Sequence, residues 1–357
     1  SNQRQPTGIG INSSSNYLIM KQKNAAYVQH AGKVVETDSR FKHVMAIALN
    51  PRKKYKDGVI RCITSRKGEE GIADQIDRSM LCKVKSRSFE RFEIGEKIII
   101  ESQEKIIKKI SGENIDFLGL EDPDIWVDEK TNLIHLYFTI PLIGKKKTWI
   151  HLGHALGKDL DNLNMTMPVL MASARGGAKE VSIAPLNRKG LRYNLVESSD
   201  KIKNTHFSVV RTAIARDMGK PWKFGKIVFH PGKQSLNWIA GHASPGPLFP
   251  STFIDVGPGK MVGIMNGCEA NKKIKGKTKY GTFSVGLFIY NYEEGKIDWV
   301  SPRPFIQDSQ TGKIRAITFA SQFVETKHGE GILYAHVDDS FVRAYTLYAE
   351  GIREMLP

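Results

Sequence analysis

The sequence predicts an all-β fold, a five-bladed β-propeller, on three observations. A short strand, a Gly/Asp/Lys/Asn turn, a very apolar strand and a third alternating strand recur five times, roughly every 60 to 75 residues. The runs show period-two alternation and are rich in β-branched and aromatic residues, which argues strand over helix. No amphipathic helix longer than a few turns competes, apart from the short segment GIADQIDRSM (71–80). Radial repetition of sheet units is the economical reading. A two-sheet sandwich of the same strands is the alternative, and it explains the regular triplets less well.

Taken in order, the first unit is MAIALNP (45–51), GVIRCITSR (58–66) and MLCKVKS (80–86). The second is EDPDIWV (121–127), LIHLYFTI (133–140) and WIHLGHAL (149–156), and the third is KEVSIAPL (179–186), LRYNLVES (191–198) and FSVVRTAI (207–214). The fourth is ASPGPLF (243–249), MVGIMNGCE (261–269) and TFSVGLFIY (282–290); the fifth is ASQFVET (320–326), GILYAHVDD (331–339) and FVRAYTLY (341–348). Residues 44–357 therefore read as one propeller domain, preceded by a partly flexible extension, 1–43, that can complete the last blade.

Composition narrows the function. The chain is 40% hydrophobic and 25% charged, ordinary for a globular protein with a large core, and no apolar run is long enough to span a membrane. Three cysteines, Cys62, Cys82 and Cys268, lack metal-ligand spacing, and with no secretory signal pattern they favour a reducing, cytoplasmic setting. The net charge of +16 gathers at RKKYK (52–56), GKKK (144–147) and NKKIKGKTK (271–279), all in turn-like segments without interleaved aromatics. Solvated loops, with attraction of anionic ligands second, explain these clusters better than nucleic-acid binding does.

Propeller geometry sets the starting ends of the first strands and the finishing ends of the second strands at one mouth of a central channel. Asn50, Asp122, Glu180 and Ser244 are expected there with Arg66, Glu197, Glu269, Asp338 and Asp339. Crowded carboxylates raise one another's pKa and supply acid/base pairs. Each has a plainer reading: an Asp-Pro turn for Asp122, an ion pair with Lys179 for Glu180, a strand-end turn for Glu197, a solvated side chain for Glu269. Pro123 biases Asp122 toward extended backbone, and strand alternation lets at most one of Glu121 and Asp124 face the channel with it. No HExxH, phosphate loop, GxSxG or reactive cysteine appears, and HLGH (151–154) places its histidines on opposite strand faces. No metal or organic cofactor is implied. The chemistry on offer is that of paired carboxylates, as glycoside cleavage requires.

GLEDPDIWVDEKTNLIHLYFT (119–139) resembles the EDPR first strand of the second blade in glycoside hydrolase family 130, the mannoside phosphorylases and β-mannosidases. LNPRKKYKDGVIRCITSR (49–66) is similar to that family's first blade, GHASPGPLFPSTFIDVGPGKMVGIMNG (241–267) to its fourth, and ILYAHVDDSFVRAYTL (332–347) to its closing segment. The resemblance runs in order from about residue 44 to 350. It implies that Asp122 is the general acid and that Asn50, Arg66 and Asp338 hold the sugar. Glu197 and Asn266 stand where the phosphorylases carry an arginine and a histidine beside phosphate, and Asp124 replaces the arginine of EDPR. A carboxylate repels phosphate, so these departures favour hydrolysis.

The resulting expectation is an inverting glycosidase of β-mannosides or related oligosaccharides. Asp122 protonates the leaving oxygen, Glu197 with Glu180 activates water, Arg66, Asn50, Lys179, Asn266 and Asp338 bind substrate, and Trp126 or Trp149 stacks on it. The alternatives are a phosphorylase taking inorganic phosphate as co-substrate, supported by Lys179, Arg175 and the positive charge, and a non-catalytic carbohydrate-binding propeller. Nucleic acid and membrane are not expected partners.

Overall fold

The computed structural model describes residues 25–174 and 176–357. Sheet dominates it, as the alternating apolar runs require. The second strands lie at Asp57–Lys67, Ile134–Ile143, Arg192–Ile202, Lys260–Cys268 and Glu330–Val337, each antiparallel to the strand before it and the strand after it. The first strands, called inner strands below, are His43–Leu49, Glu121–Val127, Lys179–Ser182, His242–Leu248 and Thr318–Lys327.

These inner strands touch in sequence order, and the last returns to the first, so they form a closed ring. The core is divided accordingly. Ala48, Val59 and Leu81 pack with Leu136, Phe138 and Ile140 between the first and second sheets. Tyr137 and Leu152 meet Val196 and Ala213 between the second and third, while Leu195 and Val210 meet Met265 and Phe288 beyond them. Ile264 and Leu287 pack on Leu333 and Tyr345, and Tyr334 and Val342 close the circuit onto Ile47 and Ile60. Each sheet thus buries both faces, which is why its middle strand is apolar throughout rather than alternating.

The strand Tyr27–Gln29 joins the last sheet by pairing with Phe341–Tyr348. A buried polar group reinforces this closure: Asp308 takes the Arg343 guanidinium and the Tyr345 hydroxyl, while Arg343 also donates to the Ala31 carbonyl at 2.8 Å. Residues 1–24 of the extension lie outside the described residues. The expected helix at 71–80 is not formed: Ile76 opens the strand Ile76–Ser88, whose alternating residues pair with the second strand. A helix occurs instead at Gln103–Ser111, where Ile107 is buried and lysines face water. No helix among the described residues is long and apolar enough to cross a membrane.

Candidate active site

The inner strands are not regular. Those carrying Asp122 and Glu180 have a bulge at these residues, with φ of 46° and 52°, and the first inner strand has its counterpart at Ala46, with φ of 52°. Left-handed backbone at non-glycine residues is costly and persists only where the surroundings enforce it. The extended conformation expected for Asp122 ahead of Pro123 is therefore not adopted. The bulge also breaks the alternation, so Glu121 and Asp122 both line one cavity of about 1230 Å³. Asp124 lines a second cavity, of about 810 Å³, toward the downstream ends of the inner strands. Asp122 and Glu180 line both cavities.

Asp122 from the second sheet, Glu180 and Glu197 from the third and Asp339 from beyond the fifth sheet's middle strand all line the larger cavity, with Glu121 beside Asp122. Arg61, from the second strand of the first sheet, holds the wall. It donates to Asp122 Oδ1 at 2.8 Å, to Glu121 Oε1 at 2.8 Å and to Ser79 Oγ at 2.9 Å. Burial works against its charge, but Glu121 and Asp122 hold the guanidinium firmly protonated. Burial pushes the Glu121 carboxyl up to about 7 against the attraction of Arg61.

Glu180 and Glu197 are driven apart. Burial, with the charges of Asp122 and Glu197, raises Glu180 well above the ordinary carboxylate range. Burial would raise Glu197 as well, but His242, Lys179 and Ser244 hold it down at about 2. Lys179 Nζ lies 3.4 Å from Glu197 Oε1, and His242 Nε2 lies 3.2 Å from Oε2. Strand register explains the first contact, because Lys179 and Glu197 are directly opposed across adjacent strands. The cavity therefore sets a carboxyl pushed toward its protonated form beside one held toward its ionised form, the requirement for acid/base work.

Most of the other expected site residues fall elsewhere. Asn50 lies beyond the downstream end of its strand, where it caps the turn Pro51–Lys53 by accepting from the Arg52 amide at 3.1 Å. The Asn-Pro pair ends that inner strand rather than starting it. Arg66 sits on the upstream rim, bound to Asp77 through two 2.8 Å hydrogen bonds and to the Asp339 carbonyl at 2.8 Å. Asn266 is fully buried, its amide spent on both backbone groups of Ala320. Asp338 faces a smaller neighbouring pocket and binds the Ile317 amide and Arg315; Asp339 lines the main cavity, 3.3 Å from His336 Nε2. Trp126 lines the downstream cavity between His135 and Arg192, and Trp149 packs on Gly144 and Lys147. Arg175 lies outside the described residues.

Sequence reasoning missed Arg61, and of Asp338 and Asp339 it is Asp339 that lines the main cavity. The signal for Arg61 was register: it opposes Met45, beside the bulge residue Ala46, as Glu197 opposes Lys179 beside Glu180. Among the described residues, no group of three His, Cys, Asp or Glu side chains has the geometry to hold a metal ion.

No family model and no curated protein sequence matches this chain. Solved structures do match. The chain is similar to a β-1,2-mannobiose phosphorylase from Listeria innocua in complex with β-1,2-mannobiose, at 13% identity and TM-score 0.58, over 93% of this chain and 90% of that one. It is also similar to MPT-4, a mannose phosphorylase from Leishmania mexicana in complex with phosphate, at 13% identity and TM-score 0.50, over 91% and 89%. A third is the catalytic domain of an α-L-arabinofuranosidase of family GH62 from Coprinopsis cinerea, at 8% identity and TM-score 0.52, over 91% and 97%. At these identities the likeness is one of fold: the chain is mostly β, folded like the β-propeller glycoside hydrolases and phosphorylases.

Proposed function

We propose that this chain is a glycoside hydrolase, a five-bladed propeller in residues 44–357 whose upstream cavity binds a β-mannoside or related oligosaccharide and cleaves it with inversion. The observation that carries the reading is the meeting of Asp122, Glu180 and Glu197 in one cavity, where burial raises the Glu180 carboxyl while Lys179 and His242 hold that of Glu197 low. Its resemblance to glycoside hydrolase family 130 and its likeness to the mannobiose phosphorylase point the same way.

Asp122 is aimed into the channel by its bulge and fixed by Arg61, so it is the group placed to pass a proton to the leaving oxygen. The charge of Asp122 adds to burial in raising the Glu180 carboxyl, so Glu180 is assigned as the reserve of the proton that Asp122 passes on. That proton goes to the leaving oxygen as the glycosidic bond breaks. Glu197 accepts the proton of the water whose oxygen bonds to the anomeric carbon. Lys179 and His242 keep Glu197 charged until then. Arg61 and Asp339 are assigned to sugar hydroxyls.

Phosphorolysis is the second reading, favoured by the phosphorylases of similar fold and by Lys179 in the cavity. A screen of β-mannosides with and without phosphate, on wild type, Asp122→Asn and Glu197→Gln, separates the two. Free sugar formed without phosphate, and lost in both variants, is the expected result. Sugar 1-phosphate formed only when phosphate is present establishes the second reading. Sugar bound by all three proteins and turned over by none identifies a carbohydrate-binding propeller.

A further inference from the structure

The upstream cavity carries more positive charge at its mouth than its carboxylate centre accounts for. The hairpins joining second to third strands all protrude at this end. Three of them, at 144–147, 202–205 and 268–283, carry lysines. The last holds a small two-stranded sheet, Lys272–Ile274 paired with Lys277–Lys279. That sheet docks on the first sheet's hairpin: the Tyr280 amide donates to the Gly71 carbonyl at 2.9 Å, and the Ala73 amide to the Thr278 carbonyl at 3.0 Å. Asn271, Thr278 and Tyr280 consequently line the cavity, together with Lys147 and Lys201 from the neighbouring hairpins.

Several acidic residues at this mouth have basic neighbours, while Glu69, Glu70 and Glu269 on the same hairpins have no salt-bridge partner among the described residues. Asp77 binds Arg66, Asp74 lies 3.6 Å from Lys277, Asp200 3.4 Å from His230, and Asp339 3.3 Å from His336. Lys147, Lys201, Lys272 and Lys279 are exposed and have no carboxylate within salt-bridge distance among the described residues. Lys272 and Lys279 are direct cross-strand partners, and like charges so placed weaken a hairpin rather than support it. Lys147 and Lys201 place positive potential on a cavity whose low-dielectric walls include Phe207, Phe283 and Phe319, and Lys272 and Lys279 add to it from the small sheet that carries Asn271, Thr278 and Tyr280 to the cavity wall. A neutral oligosaccharide has no use for that field; an anionic one does.

We infer that the substrate of the upstream cavity is an anionic glycoside, a sugar bearing a phosphate or carboxylate group that reaches the lysines at the mouth while the scissile bond sits among Asp122, Glu180 and Glu197. This rests on the sugar-cleaving reading above and names its substrate class. The anion is part of the substrate, bound at the rim, and is not a free phosphate ion attacking the anomeric carbon.

The test is titration calorimetry of the full chain with mannose, mannose 6-phosphate, mannuronate and inorganic phosphate, at 50 and 300 mM NaCl. A Lys147→Ala/Lys201→Ala/Lys272→Ala/Lys279→Ala variant and a Lys53→Ala/Lys54→Ala control at the opposite end are measured alongside, with Tm confirming that both fold. The expected result is at least about tenfold tighter binding of an anionic sugar than of mannose at low salt, as one good charge-assisted contact gives. The advantage shrinks several-fold at high salt, disappears in the fourfold variant and survives in the control. Preference for mannose 6-phosphate assigns the group as phosphate; preference for mannuronate assigns it as carboxylate. Equal, salt-independent binding of mannose and both anionic sugars overturns the inference alone. Inorganic phosphate binding as tightly as the sugar phosphate also overturns it, because the anion is then a free ion. Failure of every sugar to bind overturns the sugar-cleaving reading and this inference with it.

Discussion

Lys179 and Glu197 face each other across adjacent strands, Nζ 3.4 Å from Oε1, and with His242 on the other carboxylate oxygen they fix the charge of the centre. Replacing Lys179 by methionine removes one of the two groups in contact with Glu197 that hold it down. The acidic limb of the pH–rate profile is expected to move up by about one unit or more, with kcat falling more than KM rises. A limb unmoved by Lys179→Met means that Glu197 does not titrate in the reaction.

The low pKa of Glu197 also bears on stability. A carboxyl held at about 2 when folded and near its ordinary 4.5 when unfolded stabilises the protein above the unfolded value. That contribution, on the order of 3 kcal/mol, is lost as pH falls from about 4.5 to 2. In Glu197→Gln the loss of Tm over this window is expected to be smaller than in wild type. Parallel Tm curves for the two proteins contradict the assignment.

Asp124 behaves in the opposite sense. Burial raises its carboxyl from 3.8 to about 7, so it stabilises the fold at low pH and that contribution is lost as pH rises through 7. Asp124→Asn keeps the shape without the charge. Its Tm is expected to exceed that of wild type at pH 8 and to match it near pH 4. A difference independent of pH means that Asp124 is not buried as an acid.

Arg61→Lys tests the wall of the cavity. One ammonium cannot reproduce three hydrogen bonds spread over Glu121, Asp122 and Ser79, so kcat/KM is expected to fall by about 10²-fold or more. Full activity in Arg61→Lys removes Arg61 from the site.

Asp308 is fully buried between Arg343 and Tyr345, where the last sheet is closed. Asp308→Ala leaves the Arg343 charge without its partner, and denaturant unfolding is expected to show a loss of about 3–5 kcal/mol. A loss under about 1 kcal/mol shows that the closure does not depend on this ion pair.

Much of this architecture was legible because its signals are local. The strand LIHLYFTI was expected at 133–140 and is found at Ile134–Ile143; GVIRCITSR was expected at 58–66 and is found at Asp57–Lys67. Apolar runs bounded by turn residues fix such strands without reference to the rest of the chain. Asp122, Glu180 and Glu197 were placed together by counting positions within each unit, and the structure brings them to one cavity. What escaped depends on pairing between distant segments. Nothing local marks Asp122, Glu180 or Asp339 for left-handed backbone, a conformation imposed by neighbouring strands. Strand-end position and the family resemblance pointed to Arg66 and Asp338, whereas Arg61 and Asp339 line the main cavity. Asn50 was misplaced for a different reason: a proline that terminates a strand and starts a helical turn reads in sequence like one that opens a strand.

The most direct test of the central claim is the anomeric configuration of the first sugar released from a β-mannoside in phosphate-free buffer, followed by proton NMR before mutarotation. Inversion by Asp122, Glu180 and Glu197 predicts that the α-anomer appears first and that Glu197→Gln releases none. Initial release of the β-anomer, or release that requires phosphate, contradicts it.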